Sequence, residues 1–164
     1  MVSIQVPEVL THHQQITANN IAIVHYHEHS PVGRNLISFN KCAISFILSG
    51  QKELYRGTEC TLVTEHEAVL IPDGNAIIAE RKLNAQKYSS LVIFFPAELA
   101  QKFIVKYGKQ LNHQPFLTEK DAFLKFSQTP YIAEYLNGLI HLIDKQLVVS
   151  PALLQHKLEE LFLV

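Results

Sequence analysis

The hydrophobic pattern of the chain changes its period once, near residue 96. Before that point the apolar residues fall in short runs rich in β-branched and aromatic side chains, which is typical of β-strands. Turn signals such as Ser49-Gly50 and Pro72-Asp73-Gly74 separate most of these runs. Many short strands with tight turns favour a sandwich or a jelly-roll barrel over alternating strands and helices. The predicted strands are residues 21–27, 36–39, 42–48, 53–56, 60–64, 68–71, 76–81 and 88–95.

Beyond residue 96 the apolar residues recur every three or four positions, as they do on one face of a helix. Pro96 predicts the start of a helix that Gly108 ends. Thr129-Pro130 and Ser150-Pro151 each combine an N-cap residue with a proline in the first turn, and they predict two more helices. The second half of the chain is therefore predicted to be mainly helical.

Two segments do not follow either period. Residues 109–128 have no regular pattern, and residues 115–117 are the candidate for a short strand there. The last predicted helix carries its apolar stripe to Val164 without a C-cap glycine or a polar stop. Such an end leaves the last carbonyl groups without partners, so we expect the natural protein to continue into a further domain. The alternative is a terminal helix that packs its own end.

Length and charge narrow the function classes. The 164 residues suit one domain, and 14 basic against 15 acidic residues give a net charge of −1. A domain that binds nucleic acid by itself is usually basic, so we expect no specific DNA binding by this segment alone. No apolar stretch reaches the roughly 18 residues that a membrane helix needs, and the N-terminus does not resemble a signal peptide. We expect a cytoplasmic protein without membrane contact, in which Cys42 and Cys60 are buried, reduced thiols.

The nine histidines raise the question of a metal site. His25, His27 and His29 alternate and would share one face of a strand, and three histidines can bind zinc. Strand neighbours two apart are nearly 7 Å apart, however, which makes convergence on one ion difficult. We expect a partly exposed strand end instead. The sequence also lacks the local motifs of phosphate-binding loops, serine hydrolases and zinc proteases. We therefore predict no catalytic residue, no cofactor and no metal.

Seven segments resemble, in the same order, parts of the N-terminal sensor domain of AraC/XylS-type transcription regulators. The first resembles the strand, turn and strand that open that domain, and the second resembles its following strand and Pro-x-Gly turn. The order of the segments is similar to a subgroup that includes transcriptional activators of type III secretion, and the last two segments also resemble that subgroup. The matching segments are residues 43–54, 67–76, 79–83, 90–96, 103–108, 135–143 and 157–163.

The resemblance implies a mainly β fold with C-terminal helices (α+β). Residues 1–95 would form a cupin-like jelly-roll β-barrel, with about the first 20 residues as a candidate arm. Residues 96–164 would form a helical dimerisation and linker segment of the same domain. The implied function is signal sensing and dimerisation, as a homodimer that responds to an unknown small molecule or partner protein. DNA would be contacted only through a C-terminal domain that this chain lacks. A stand-alone cupin-like small-molecule-binding protein and a cupin-type enzyme remain the alternatives.

Catalytic cupins hold a metal through histidines and a glutamate on neighbouring strands. In this sequence Glu53 is the candidate for the carboxylate position, but Ser45 and Ile47 stand where the resemblance requires histidines. No histidine follows Gly74 either. The resemblance therefore implies a barrel without metal-dependent chemistry, which either encloses a ligand or is filled by its own side chains.

A small effector is predicted to bind inside the barrel, between residues 44–56 and 69–81. A densely filled barrel would instead favour a protein partner or dimerisation alone. The polar candidates near the mouth of the barrel are Tyr55, Arg56, Glu80 and Arg81. Their alternative is a set of solvated residues at the strand edges.

Dimerisation is predicted through the last two helices. The last helix carries a wide apolar stripe. A glycine in the middle of the preceding helix costs about 1 kcal/mol against alanine, and close backbone approach by a neighbouring helix would give a reason for it. The alternative is that the stripe packs within the monomer and that the glycine faces the chain's own barrel. The predicted interface residues are Gly138, Leu154, Leu158, Leu161 and Phe162.

Overall fold

The computed structural model describes most of the chain. The described residues are 4–7, 10, 13–18, 20–28, 33–83, 87–107 and 123–163. In chain order their elements are β1 (Ile4–Val6), β2 (Gln14–Ala18), β3 (Ile21–Glu28), β4 (Asn35–Phe39), β5 (Cys42–Ser49), β6 (Gln51–Arg56), β7 (Glu59–Val63), β8 (Glu67–Ile71), β9 (Gly74–Arg81), β10 (Tyr88–Phe95), α1 (Ala97–Tyr107), β11 (Leu124–Ser127), α2 (Pro130–Asp144) and α3 (Pro151–Phe162).

The strands form two sheets. The first sheet has the order β1-β4-β9-β6-β7, and the second sheet has the order β11-β8-β5-β10-β3-β2. Neighbouring strands are antiparallel except for the parallel pair of β1 and β4. All eight predicted strands are present with bounds within two residues of the prediction. The predicted class, mainly β with C-terminal helices and a jelly-roll-like arrangement, is confirmed, with two sheets in place of one closed barrel.

Alternation along each strand divides the apolar residues between two cores. The inner core lies between the sheets, and β10 contributes Tyr88, Val92 and Phe94 to it. The intervening residues of β10, including Leu91 and Ile93, belong to an outer core between the second sheet and the helices. Because both faces of β10 are covered, all eight of its residues are buried.

The turn between β5 and β6 shows how local sequence fixes this arrangement. Gly50 has a φ of 89°, and a Cβ there would collide with the carbonyl oxygen of Arg81. Only glycine meets both requirements, as the Ser49-Gly50 turn signal predicts. The turn therefore brings β6 close to the end of β9, with which it pairs.

The helices cover the outer face of the second sheet. Both predicted caps are present, since the side chains of Thr129 and Ser150 accept hydrogen bonds from backbone amides three residues later. The Tyr135 hydroxyl of α2 donates to the carbonyl oxygen of Lys157 in α3 and ties the two helices together. Among the described residues, no helix is long and apolar enough to span a membrane.

Three strands were not predicted. In the described part of the first 20 residues, β1 is an edge strand of the first sheet and β2 is an edge strand of the second sheet. Within residues 109–128, which were expected to be irregular, β11 pairs with β8 and extends the second sheet. Its sequence Leu124-Lys125-Phe126-Ser127 alternates in burial, as the strand requires. The short strand considered at residues 115–117 lies outside the described residues.

Candidate functional site

A cavity of about 250 Å³ lies between the two sheets and is called the interior cavity below. It occupies the part of the fold in which a small effector was predicted to bind, and it shows that the inner core is not completely filled. Its polar wall comprises His13, Tyr26, Glu28, Asn35, Lys52, Glu80 and Ser90, and its apolar wall comprises Ile4, Val6, Leu10, Ile37, Phe39, Ile71, Ile78, Val92 and Phe94.

The central charged group of this cavity is Lys52. Lys52 lies on the same inner face of β6 as Leu54, and its side chain is only 6% exposed. The Nζ atom donates to Ser45 Oγ of the opposite sheet at 3.0 Å and lies 3.6 Å from Glu80 Oε2. Burial lowers the pKa of Lys52, while the nearby Glu80 carboxylate raises it in part. The ion pair therefore joins the two sheets across the interior.

Two buried hydroxyl groups adjoin this ion pair. Neither Tyr88 Oη nor Ser90 Oγ has a hydrogen bond of normal geometry within the described part of the chain. Burial first, and then the negative charge of Glu80, raises the pKa of Tyr88 well above its ordinary value. The same two causes, joined by the charge of Glu28, raise the pKa of Tyr26. Both tyrosines are therefore neutral hydrogen-bonding groups at physiological pH.

This arrangement can bind a small amphipathic molecule. The apolar wall offers contact to a hydrocarbon, while the ion pair and the hydroxyls offer hydrogen bonds to a head group. Buried polar groups without partners cost free energy, so a ligand that satisfies them gains affinity. In the described ranges, no three histidine, cysteine or acidic residues are grouped so that they could hold a metal ion.

The structure separates the four predicted effector residues. Glu80 lines the interior cavity. Tyr55 and Arg81 lie on the outer face of the first sheet, where both contact Glu53, at 2.6 and 3.5 Å respectively. Arg56 lies beyond the cavity, where it donates to the carbonyl oxygens of Asn75 and Pro72 and stacks on Phe123. Contact between these four residues and an effector stays a prediction.

The expectation that Glu53 occupies the carboxylate position of a catalytic cupin is wrong. Its neighbour Leu54 faces the inner core, so Glu53 faces outward, where it accepts the hydrogen bond of Tyr55. The inward-facing carboxylate on these strands is Glu80.

Sequence reasoning missed Lys52, Tyr26 and Ser90. The predicted strand began at residue 53, so the alternation that places Lys52 on the face of Leu54 was not applied to it. Tyr26 and Ser90 lie in predicted strands and share faces with Val24 and Val92. Period-two alternation was the available signal in all three cases.

The predicted dimer residues have different surroundings. Leu154, Leu158 and Leu161 lie in the chain's own outer core and are 1%, 2% and 6% exposed. The ring of Phe162 makes edge-to-face contacts with the rings of Phe95 and Phe103. Gly138 faces outward, and a Cβ added there meets nothing within 4 Å. The apolar stripe thus packs within the monomer, while dimerisation itself stays a prediction.

The alternating histidines are more buried than expected. His25 is 7% exposed, and its Nδ1 lies 3.1 Å from Asp144 Oδ1 at the end of α2. His27 stacks against His25 with ring centroids 4.0 Å apart, and its Nδ1 is buried without a described hydrogen-bond partner. The expectation of a partly exposed strand end is wrong for His25, because α2 covers this face of β3. His29 lies outside the described residues.

We predict that His27 stays neutral in the folded protein down to acidic pH. Burial, followed by repulsion from His25, lowers its pKa to about 4. An unfolded histidine titrates near pH ~6.5, so the unfolded chain binds more protons in the window between these values. The stability that neutral His27 provides is present above that window and is lost as pH falls through it.

An NMR titration of the histidine rings measures this pKa directly, and urea unfolding across pH measures the linked loss of stability. In His27→Gln the stability should depend less on pH between about 6.5 and 4. A His27 pKa at the ordinary value would contradict the prediction.

A second cavity, called the apolar cavity below, lies between the second sheet and the helices. Its volume is about 660 Å³, and residues such as Ile44, Leu70, Ile104 and Ile132 line it. It contains no ion pair among the described residues. We therefore treat the interior cavity as the candidate site.

The cysteines differ from the prediction in one respect. Both thiols are free, and Cys42 is partly buried, which raises the pKa of its thiol. Cys60 is exposed, so the expected burial is wrong for this residue. It lies on β7, the edge strand of the first sheet, where its side chain shares the outer face with Tyr55.

Comparison with known proteins identifies the family. No curated protein sequence matches the chain. Wild-type ToxT from Vibrio cholerae with a bound unsaturated fatty acid has a TM-score of 0.59 at 15% identity, over 90% of this chain and 55% of that chain. An apo variant of ToxT gives a TM-score of 0.58 at 12% identity, over 89% and 55%.

These similarities show a shared fold, and this chain spans about 55% of the length of either ToxT chain. A sequence profile of the ExsA N-terminal regulatory domain matches residues 42–164, which is most of the chain. The predicted resemblance to the sensor domains of AraC-type regulators is thereby confirmed, and the chain belongs to the ExsA N-terminal regulatory domain family.

Proposed function

We propose that this chain senses a small effector, which binds in the interior cavity, on behalf of an AraC-type transcription regulator. The single observation that carries the proposal is the cavity of about 250 Å³, whose wall contains the Lys52–Glu80 ion pair and the buried Ser90 hydroxyl, which has no hydrogen bond of normal geometry among the described residues. A filled interior would instead favour a protein partner or dimerisation alone. The ToxT structure with an unsaturated fatty acid supports small-molecule binding by a protein of this fold.

The domain would act by binding rather than by catalysis. Membership of a regulatory-domain family favours this role. A separate DNA-binding domain of the regulator would make the DNA contacts. The net charge of −1 on this chain agrees with a domain that does not bind DNA itself. Since its target would be DNA, we place the regulator in the cytoplasm.

The test is mass spectrometry of small molecules that co-purify with the protein from the cells that naturally make it. We expect one compound in stoichiometric amount with wild type, and its loss from Ile78→Phe, because Ile78 is 6% exposed and lines the interior cavity. The matched control is Leu70→Phe, which fills the apolar cavity instead and should retain the compound.

Circular dichroism shows whether each variant is folded, since overpacking costs about 1–3 kcal/mol. A compound retained by a folded Ile78→Phe variant, or lost from Leu70→Phe alone, would contradict the proposed site.

We also propose that the chain dimerises, through the exposed sides of α2 and α3. The buried leucines of α3 are occupied by the outer core, which leaves Gly138 and Leu153 as outward-facing contacts. Open space at Gly138 lets the backbone of a partner helix approach closely.

We predict that Gly138→Leu weakens the dimer while stabilising the monomer. Leucine favours a helix over glycine by up to about 1 kcal/mol, and no atom of the chain obstructs the new side chain. Thermal unfolding at low protein concentration measures the monomer, and analytical ultracentrifugation across concentrations measures association. A variant that dimerises as well as wild type, or a wild type that stays monomeric at high concentration, would contradict the proposed contact.

A further inference from the structure

We infer that the interior cavity selects a small amphiphile whose head group is uncharged and both donates and accepts hydrogen bonds, such as an alcohol or a primary amide. This inference rests on the proposed effector site and narrows it to a class of ligand. It follows from the charges that face the cavity, from the hydroxyl groups of Ser90 and Tyr26 on its wall and from the size of the space.

The charges inside the cavity already compensate each other. Lys52 Nζ and Glu80 Oε2 lie 3.6 Å apart, and both residues line the space. A ligand carboxylate placed beside Lys52 would also lie beside Glu80, and Glu28 adds another carboxylate to the wall. A ligand ammonium near Glu80 would in turn approach Lys52. Because like charges are poorly screened in a protein interior, either ionic head group is disfavoured against a neutral one.

The hydroxyls define what the neutral head group must do. Ser90 lines the cavity, and its buried Oγ has no hydrogen bond of normal geometry among the described residues. A hydroxyl group can both donate and accept. Tyr26 also lines the cavity and adds a phenolic hydroxyl, and the ring of His13 packs against the Tyr26 ring with centroids 4.5 Å apart. A head group with both a donor and an acceptor satisfies more of these groups than an ether or a hydrocarbon does.

The size of the cavity limits the rest of the ligand. A volume of 250 Å³ corresponds to roughly eight water molecules at about 30 Å³ each. A six-carbon chain with a small head group has about this volume, and Ile71, Val92 and Phe94 provide an apolar wall for the chain. A long acyl chain exceeds this volume and would extend beyond the cavity.

The experiment compares three probes that share a six-carbon chain: 1-hexanol, hexanoate and hexylamine. Each is titrated into the isotope-labelled chain, and NMR shifts at Ser90, Val92 and Ile78 report binding in the interior cavity. We expect wild type to bind hexanol about tenfold more tightly than either ion at neutral pH, a difference of ~1.4 kcal/mol.

The variant Glu80→Gln tests the charge argument in the opposite direction. It leaves Lys52 without its carboxylate partner, so hexanoate should become the tightest of the three probes. The double variant Lys52→Met, Glu80→Gln removes both charges and should again prefer hexanol. NMR spectra of each variant show whether it is folded. If Glu80→Gln is unfolded, the order of the three probe affinities for the wild-type chain tests the inference.

The outcomes separate the inference from the proposed function. Hexanoate or hexylamine binding wild type as tightly as hexanol would overturn the inference and leave the cavity as the effector site. A folded Glu80→Gln variant that still prefers hexanol would also overturn it. No shift at the cavity residues with any probe, or shifts confined to Leu70 and Ile132 of the apolar cavity, would overturn both the inference and the proposed site.

Discussion

Replacement of both Leu158 and Leu161 by glutamate is expected to unfold α3 and most of the helical layer. These leucines are 2% and 6% exposed and lie in the outer core with residues of α2 and of the second sheet. Loss of a buried leucine costs about 2–5 kcal/mol, and burying an unpaired carboxylate costs more. Since whole domains are stable by only about 5–15 kcal/mol, the double change removes most or all of the stability.

Denaturant unfolding followed by circular dichroism measures this loss. The matched control is Leu153→Glu on the same helix, measured at a protein concentration at which the chain is monomeric. Leu153 is 42% exposed, so its replacement should change the stability of the monomer by less than about 1 kcal/mol. A double variant as stable as wild type would show that α3 does not pack on the sheet. The control also matters for dimerisation, because loss of a dimer in the double variant would report unfolding rather than a broken interface.

The second large effect is expected from Lys52→Met. Removal of one partner from a buried ion pair costs about 3–5 kcal/mol, because the other charge remains without compensation. Here the stranded group is Glu80, whose side chain is only 19% exposed. Ser45 Oγ also loses the hydrogen bond that joins it to Lys52 across the two sheets.

A double-mutant cycle separates the ion pair from the packing of the lysine side chain. In Lys52→Met, Glu80→Gln no charge is left in the pair, so we expect the double variant to be more stable than Lys52→Met alone. Urea unfolding of wild type, both single variants and the double variant gives the coupling energy. A double variant whose loss equals the sum of the two single losses would show that the pair is not coupled.

The fold was predictable where pattern and caps agree. In β10 a run of eight apolar or small residues predicts a strand covered on both faces, and α2 has a threonine cap, a first-turn proline and regular apolar spacing. The strands β1 and β2 have only three and five residues. Segments this short owe their structure to the sheets that they join, so their own sequence carries little signal.

The site was harder to predict than the fold, for two physical reasons. A lysine such as Lys52 is assigned to the surface from its residue type alone. Its burial follows only when strand alternation places it on the same face as Leu54. The stripe of Leu154, Leu158 and Leu161 predicts a buried helix face, but periodicity does not distinguish the chain's own sheet from a partner helix. Tertiary packing decides whether the chain's own sheet or a partner covers an apolar face. The sequence of one helix carries no information about that packing.

The family was accessible from the sequence because the order of many weak segments is more specific than any one of them. The class of ligand was not accessible from the sequence, because the residues that select it lie on strands that are far apart in the chain. Lys52, Glu80 and Ser90 come from β6, β9 and β10, and only the facing sheets bring them to one cavity.

The central claim is that the interior cavity binds the effector, and an experimental structure of the chain with its co-purified effector tests it most directly. We predict that the ligand lies between the sheets, with its head group within hydrogen-bond distance of Ser90 Oγ or Tyr26 Oη and its apolar part against Val92. An effector bound in the apolar cavity or on the outer face of the first sheet, with the interior cavity unchanged, would contradict the account.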